Sequence, residues 1–149
     1  MLSLDLDHFK AINDNHGHLA GDRVLHETAI AVRAVLREGD VLIRTGGEEF
    51  LILLPGAGTD DVHRIGERMR QSVAAIRIPH ADTCITVTTS LGGASTTDTT
   101  IDSSDTLIAR SDDALYVSKR SGRDRLTMAT APLETTARAW GLPGGPLGR

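Results

Sequence analysis

The segment RTGGEEFLILLPG, residues 44 to 56, constrains the fold more than any other stretch of this chain. Its apolar run from Phe50 to Leu54 has the length and composition of a buried strand, and Pro55 and Gly56 stop it. Two adjacent carboxylates, Glu48 and Glu49, stand directly in front of that run, behind Gly46 and Gly47. Charge at the entrance to a buried strand is costly unless something pairs with it. Other segments of the chain must therefore supply a partner at that point.

The first seven residues, MLSLDLD, alternate, with Leu2, Leu4 and Leu6 on one face and Ser3, Asp5 and Asp7 on the other. That is the period of a half-buried strand. HFKAINDNHGHLAGD reads as a short helical turn broken near Gly17 and Gly21. A long helix follows, in which Leu25, Ala29, Val32 and Leu36 recur and Gly39 gives a stop signal. DVLIRT and EEFLILLP then form a hairpin across Gly46 and Gly47, read as a two-residue turn with positive backbone angles.

Val62, Ile65, Met69, Val73 and Ile76 mark a second amphipathic helix, with Thr59 or Asp60 as its cap. CITVTTSLGGAS returns to strand periodicity through Ile85, Val87, Thr89 and Leu91. A last helix places Leu107 or Ile108, Ser111, Leu115 and Ser118 inward, and DRLTMAT closes as a strand. The order strand, helix, hairpin, helix, strand, helix, strand predicts a mixed sheet with helices packed on it. From about Ala131 the text turns rich in glycine and proline. Residues 131–149, including Trp140, are expected to form a loose tail after a domain spanning 1–130.

At 149 residues, with 40% apolar and 24% charged positions, the chain suits one soluble domain. A net charge of -4 argues against a duplex nucleic-acid footprint, which depends on clustered cations, but leaves room for a small phosphorylated ligand. The single cysteine, Cys84, reads as a small buried thiol, with no activating motif that would make it a nucleophile. No apolar stretch approaches the roughly 18 residues that cross a bilayer, and no basic flank marks a signal peptide. A cytoplasmic protein with no membrane contact from this segment is expected.

Asp5, Asp7, Glu48 and Glu49 admit two readings. They could converge around a hard divalent cation, which takes oxygen ligands and commonly bridges carboxylates to phosphates. They could equally form a solvated strand edge that discourages aggregation. His8, His16, His18 and His26 share no metal-ligand spacing, and His18 is assigned to packing near the Gly17 turn. From spacing alone Lys119 and Arg123 read as a basic helix end, Asn13 as a helix-end residue and Asp22 as an N-cap.

Taken together, DLDHFKAINDNHGHLAGD, then REGD five residues before GGEEF, then the K-x-x-x-R of SKRSGR, resemble the GGDEF family of diguanylate cyclases in its GGEEF spelling. The likeness runs from about Leu2 to Leu126. It implies an α+β fold of the nucleotidyl-cyclase and polymerase-palm kind, with a mixed, largely antiparallel central sheet flanked by helices. It also implies that two GTP molecules, one on each domain of a homodimer, condense to cyclic di-GMP. Two Mg²⁺ or Mn²⁺ ions per site are implied, held by Asp5, Glu49 and the Leu6 carbonyl. Glu48 would be a further ligand or the base that takes the hydroxyl proton, so the implied catalytic set is Glu48, Asp5 and Glu49.

By the same resemblance, Lys10, Lys119 and Arg123 would contact phosphates, the last two from one helix a turn apart. Asn13 and Asp22 would read guanine, and Gly46 and Gly47 would let the ligand approach the main chain. Arg37, Asp40 and Arg68 would form an inhibitory product site. Family domains usually carry a D-x-L-T-G-L-x-N-R helix before the first strand; this sequence lacks that motif, so an N-terminally truncated domain is expected. Beside the cyclase stand two alternatives, a cyclic di-GMP receptor of weak or no activity and a cyclase for another purine nucleotide.

Overall fold

A computed structural model describes residues 1–98 and 100–130; the expected tail and Trp140 lie outside them. Five strands make the main sheet, in the order β2-β3-β1-β6-β7: β1 (Leu2–Leu6), β2 (Val41–Arg44), β3 (Glu49–Leu53), β6 (Thr89–Gly93) and β7 (Leu126–Met128). Pairing is antiparallel except between β6 and β7, which run parallel. Four helices flank it, α1 (Phe9–His16), α2 (His18–Arg33), α3 (Thr59–Ala74) and α4 (Ser104–Arg120). Among the described residues no helix is long and apolar enough to cross a membrane.

The first strand is central, and not half-buried as its alternation suggests: all five of its residues are buried. Leu2, Leu4 and Leu6 enter the main core with Phe50, Ile52, Val24, Val62, Met69 and Val73. The opposite face is polar yet covered by α4. There Ser3 Oγ shares a hydrogen bond with Ser111 Oγ at 2.8 Å and donates to Asp112 Oδ1 at 2.7 Å. Alternation reports two chemically different faces, and here a helix with matching hydroxyls buries the polar one.

Other expectations are corrected. Gly17 alone separates α1 from α2; Gly21 lies within α2, where a Cβ would stand 1.9 Å from Asn13 Oδ1. Its role is close helix packing, not a break. The second helix ends at Arg33, before Leu36 and Gly39, because Val35 and Leu36 bond back only three residues, to the Val32 and Arg33 carbonyls. Neither Thr59 nor Asp60 caps α3: the cap position is Gly58, and Thr59 is already helical. The hairpin connection is Thr45–Glu48, and neither Gly46 nor Gly47 has a positive φ.

The single strand expected from Cys84 onward is two. The pair β4 (Ile78–His80) and β5 (Thr83–Ile85) forms a separate small sheet, with Thr86–Thr88 between it and β6. Ile85, Val87, Thr89 and Leu91 are all buried, so the alternation runs straight through the break. Cys84 sits on that small hairpin and is exposed rather than buried. His18 is also exposed, at the first position of α2, rather than packed near the Gly17 turn. His16 instead meets His80 edge to face, with ring centroids 5.1 Å apart.

Candidate active site

The antiparallel ladder between β1 and β3 sets Asp5 opposite Glu49. One residue on, the Leu6 amide donates to the Glu48 carbonyl at 3.2 Å, so the backbone of both glutamates is tied to the end of β1. From the covering helix Lys119 reaches the same point, its Nζ 2.7 Å from Asp5 Oδ2. Three segments distant in sequence thus bring three acids and one cation together.

Burial is the main cause that holds the Asp5 carboxyl above the usual carboxylate range; pairing with Lys119 pulls it back, and the charges of Glu49 and Asp7 push it further up. Glu48 is raised as well, first by burial and then by the neighbouring Asp5 charge, with Lys119 again opposing. The cluster holds more negative charge than its single lysine relieves. A hard divalent ion suits such a surplus of oxygen donors. Among the described residues no three His, Cys, Asp or Glu side chains close on one point. Lys119 stands on Asp5, and Glu49 folds back toward the turn, where a Cβ on Gly46 would come 2.5 Å from its Oε2.

Gly46 therefore leaves space for the Glu49 carboxylate, whereas a Cβ on Gly47 would meet nothing within 4 Å. Arg44 braces the loop by donating to the carbonyls of Gly46, at 3.1 Å, and Gly47, at 2.7 Å. Beside the acids runs a groove of about 470 Å³, bordered by Glu49 and Lys119 and walled by Leu51, Leu115 and Tyr116. That volume suits a small-molecule ligand.

The remaining expected residues fall in three places. Lys10, on the first turn of α1, is exposed and pairs with Asp14 at 2.7 Å, away from the acid cluster. Asn13 lies against Gly21, with Asp22 next along α2 and exposed to solvent. Arg123 is not on α4: the helix ends at Arg120, and Arg123 sits in the following turn at φ +62°. The four-residue spacing from Lys119 looks helical only because Gly122 follows the helix end closely.

Arg37, Asp40 and Arg68 share a small cleft of about 150 Å³, which Arg64 also lines. Asp40 is buried, accepts the Arg37 amide at 3.0 Å and pairs with Arg37 Nε at 3.3 Å; the Arg37 guanidinium also donates to the Pro55 carbonyl at 2.7 Å. One residue, Arg64, was missed from the sequence; it had a signal, since it precedes Arg68 by four on a helix. Asp7, expected to join the acids, is instead committed to hydrogen bonds within the fold.

A mixed sheet flanked by helices, with acids at the ends of two adjoining central strands, belongs to the palm-like class of domain. A family model for the diguanylate cyclase GGDEF domain matches residues 1–125, and the chain belongs to that family. It is 42% identical over 126 residues to diguanylate cyclase DgcP of Pseudomonas aeruginosa, covering 85% of this chain and 18% of that protein. It also resembles the active GGEEF domain of a diguanylate cyclase from Vibrio cholerae, at 34% identity and a TM-score of 0.78, covering 88% of this chain and 82% of that one.

The GGDEF domain of DgcB from Caulobacter crescentus, solved in complex with cyclic di-GMP, gives 34% identity and a TM-score of 0.77, covering 86% of this chain and 75% of that one. The chain spans between 18% and 34% of the length of the first curated relatives it matches.

Proposed function

We propose that this domain condenses two GTP molecules into cyclic di-GMP, each copy presenting one GTP to the other. The observation that carries the reading is the placement of Asp5 opposite Glu49, with Glu48 and Lys119 at the same sheet end. In each half-reaction the 3′ oxygen of one GTP bonds to the α-phosphorus of the other. The bond from that phosphorus to the bridging oxygen breaks, and pyrophosphate leaves. Glu48, whose carboxyl is held above the usual range by burial, would take the hydroxyl proton or serve as a further metal ligand.

The family generally works with a divalent metal. Asp5, Glu49, Glu48 and the Leu6 carbonyl are the groups that would hold Mg²⁺ or Mn²⁺, two ions per site, whose charge would offset that developing on the phosphates. Lys119 would leave Asp5 for a phosphate once such an ion replaces it as counter-charge. Asn13 and Asp22 supply an amide and a carboxylate suited to guanine, whose N1–H and amine a carboxylate accepts. Lys10, exposed on α1, would exchange its ion pair with Asp14 for a phosphate, Arg123 is exposed beside the helix that covers the acids, and the open side of Gly47 leaves room for a ligand.

A second role, product inhibition, is supported by the cleft that gathers Arg37, Asp40, Arg64 and Arg68, since guanidinium groups suit guanine faces and phosphates. The same cleft would serve a receptor without catalysis. The deciding experiment fuses the domain to a constitutive dimerising helix and incubates it with GTP and Mg²⁺. Cyclic di-GMP and two equivalents of pyrophosphate are expected; tight cyclic di-GMP binding with no turnover would favour the receptor. Arg37→Ala should abolish inhibition by added product without lowering the initial rate.

A further inference from the structure

We infer that Asp7, together with Arg70, positions Arg123 for a phosphate by clamping the turn between α4 and β7; this role rests on the cyclase reading. Asp7 is 4% exposed, and donors from two other segments occupy both its oxygens. Its Oδ1 accepts from Ser90 Oγ at 2.7 Å. Its Oδ2 accepts from Thr88 Oγ1 at 2.7 Å and from the backbone N–H of Asp124 at 3.0 Å. The two hydroxyls keep a buried charge tolerable, and the third bond reaches across to the turn.

That turn does not hold itself. Gly122, Arg123 and Asp124 have φ of +112°, +62° and +42°, three successive residues in or near the left-handed region. Such a conformation is unfavourable for a non-glycine residue and persists only where the surroundings impose it. The Arg123 amide closes onto the Ser118 carbonyl at 3.1 Å, and the Arg125 carbonyl accepts from Leu91 at 2.8 Å. Between those ties, Asp124 is gripped from two sides. Asp7 takes its amide, and Arg70 of α3 donates to its carboxylate at 2.8 Å while also pairing with Glu67 at 3.1 Å.

The Arg123 side chain, by contrast, is exposed and makes no hydrogen bond to the described residues. A pinned backbone thus carries an uncommitted cation four residues after Lys119, which touches the acid cluster. Fixing the backbone in advance lowers the ordering cost of gripping an anion. Asp7 would act on the phosphate only through this turn.

The test compares wild type, Asp7→Asn, Arg123→Ala and the double variant by amide hydrogen exchange and by titration with a non-hydrolysable GTP analogue in Mg²⁺. Asparagine keeps the shape but turns one acceptor into a donor. Loss of a charge-assisted bond should speed exchange at the Asp124 amide by about tenfold or more, with Leu4 and Leu51 still protected. Binding should weaken in Asp7→Asn by about tenfold, no more than in Arg123→Ala, and no further in the double variant.

Unchanged exchange at Asp124, or losses that simply add, would overturn the inference. Should Asp7→Asn not fold, Arg70→Met loosens the same turn from the outside, and it must weaken binding only while Arg123 is present. A wild-type chain that ignores the analogue would contradict the cyclase reading instead, leaving the exchange result to judge the clamp.

Discussion

At 2.7 Å the Lys119 ammonium gives Asp5 the compensating charge that its buried position demands. Lys119→Met should therefore destabilise the metal-free domain by on the order of 1 kcal/mol, and Mg²⁺ should restore more stability to the variant than to wild type in thermal melts. Glu48 makes a prediction about pH. Its folded carboxyl titrates above the ordinary range, so the folded state keeps its proton longer than the unfolded chain does. The contribution of Glu48 to stability is then fully present below the ordinary carboxylate range and is lost as pH rises through the raised folded value. Urea titrations without metal should show that fall, and Glu48→Gln should flatten it.

Among the elements, β6 and α4 approach backbone to backbone. A Cβ on Gly92 would stand 2.0 Å from the Ser111 carbonyl and 2.2 Å from the Leu115 amide, both of them backbone atoms that cannot swing aside. Gly92→Ala should cost about 3 kcal/mol in denaturant unfolding, whereas Gly47→Ala, with open space and no positive φ, should change stability by less than about 0.5 kcal/mol. Helix α3 and strand β3 were legible from the sequence because period and burial coincide there, as Val62, Met69 and Val73 show. The break at Thr86–Thr88 was not, because inward residues keep their alternation through it while the pairing partner changes. The end of α4 was hidden likewise: Lys119 and Arg123 keep helical spacing across a left-handed turn.

In the whole molecule, the two central strands carry the acids and a helix from far along the chain covers them. From sequence the carboxylates of β1 and β3 could converge or stay apart, and the register that sets Asp5 against Glu49 needed the structure. The motif letters singled out Asp5, Glu48, Glu49 and Lys119 as candidates, but no pattern could show that Lys119 stands on Asp5 or that Lys10 turns to Asp14, since both are choices of rotamer. The proposed function requires this acid cluster to hold a divalent ion together with a nucleotide triphosphate. Equilibrium binding of a non-hydrolysable GTP analogue, with and without Mn²⁺, tests it most directly on wild type and Glu49→Gln. Wild type should bind strongly only with the metal, and Glu49→Gln should lose about tenfold or more of that gain; equal, metal-independent binding by both proteins would contradict it.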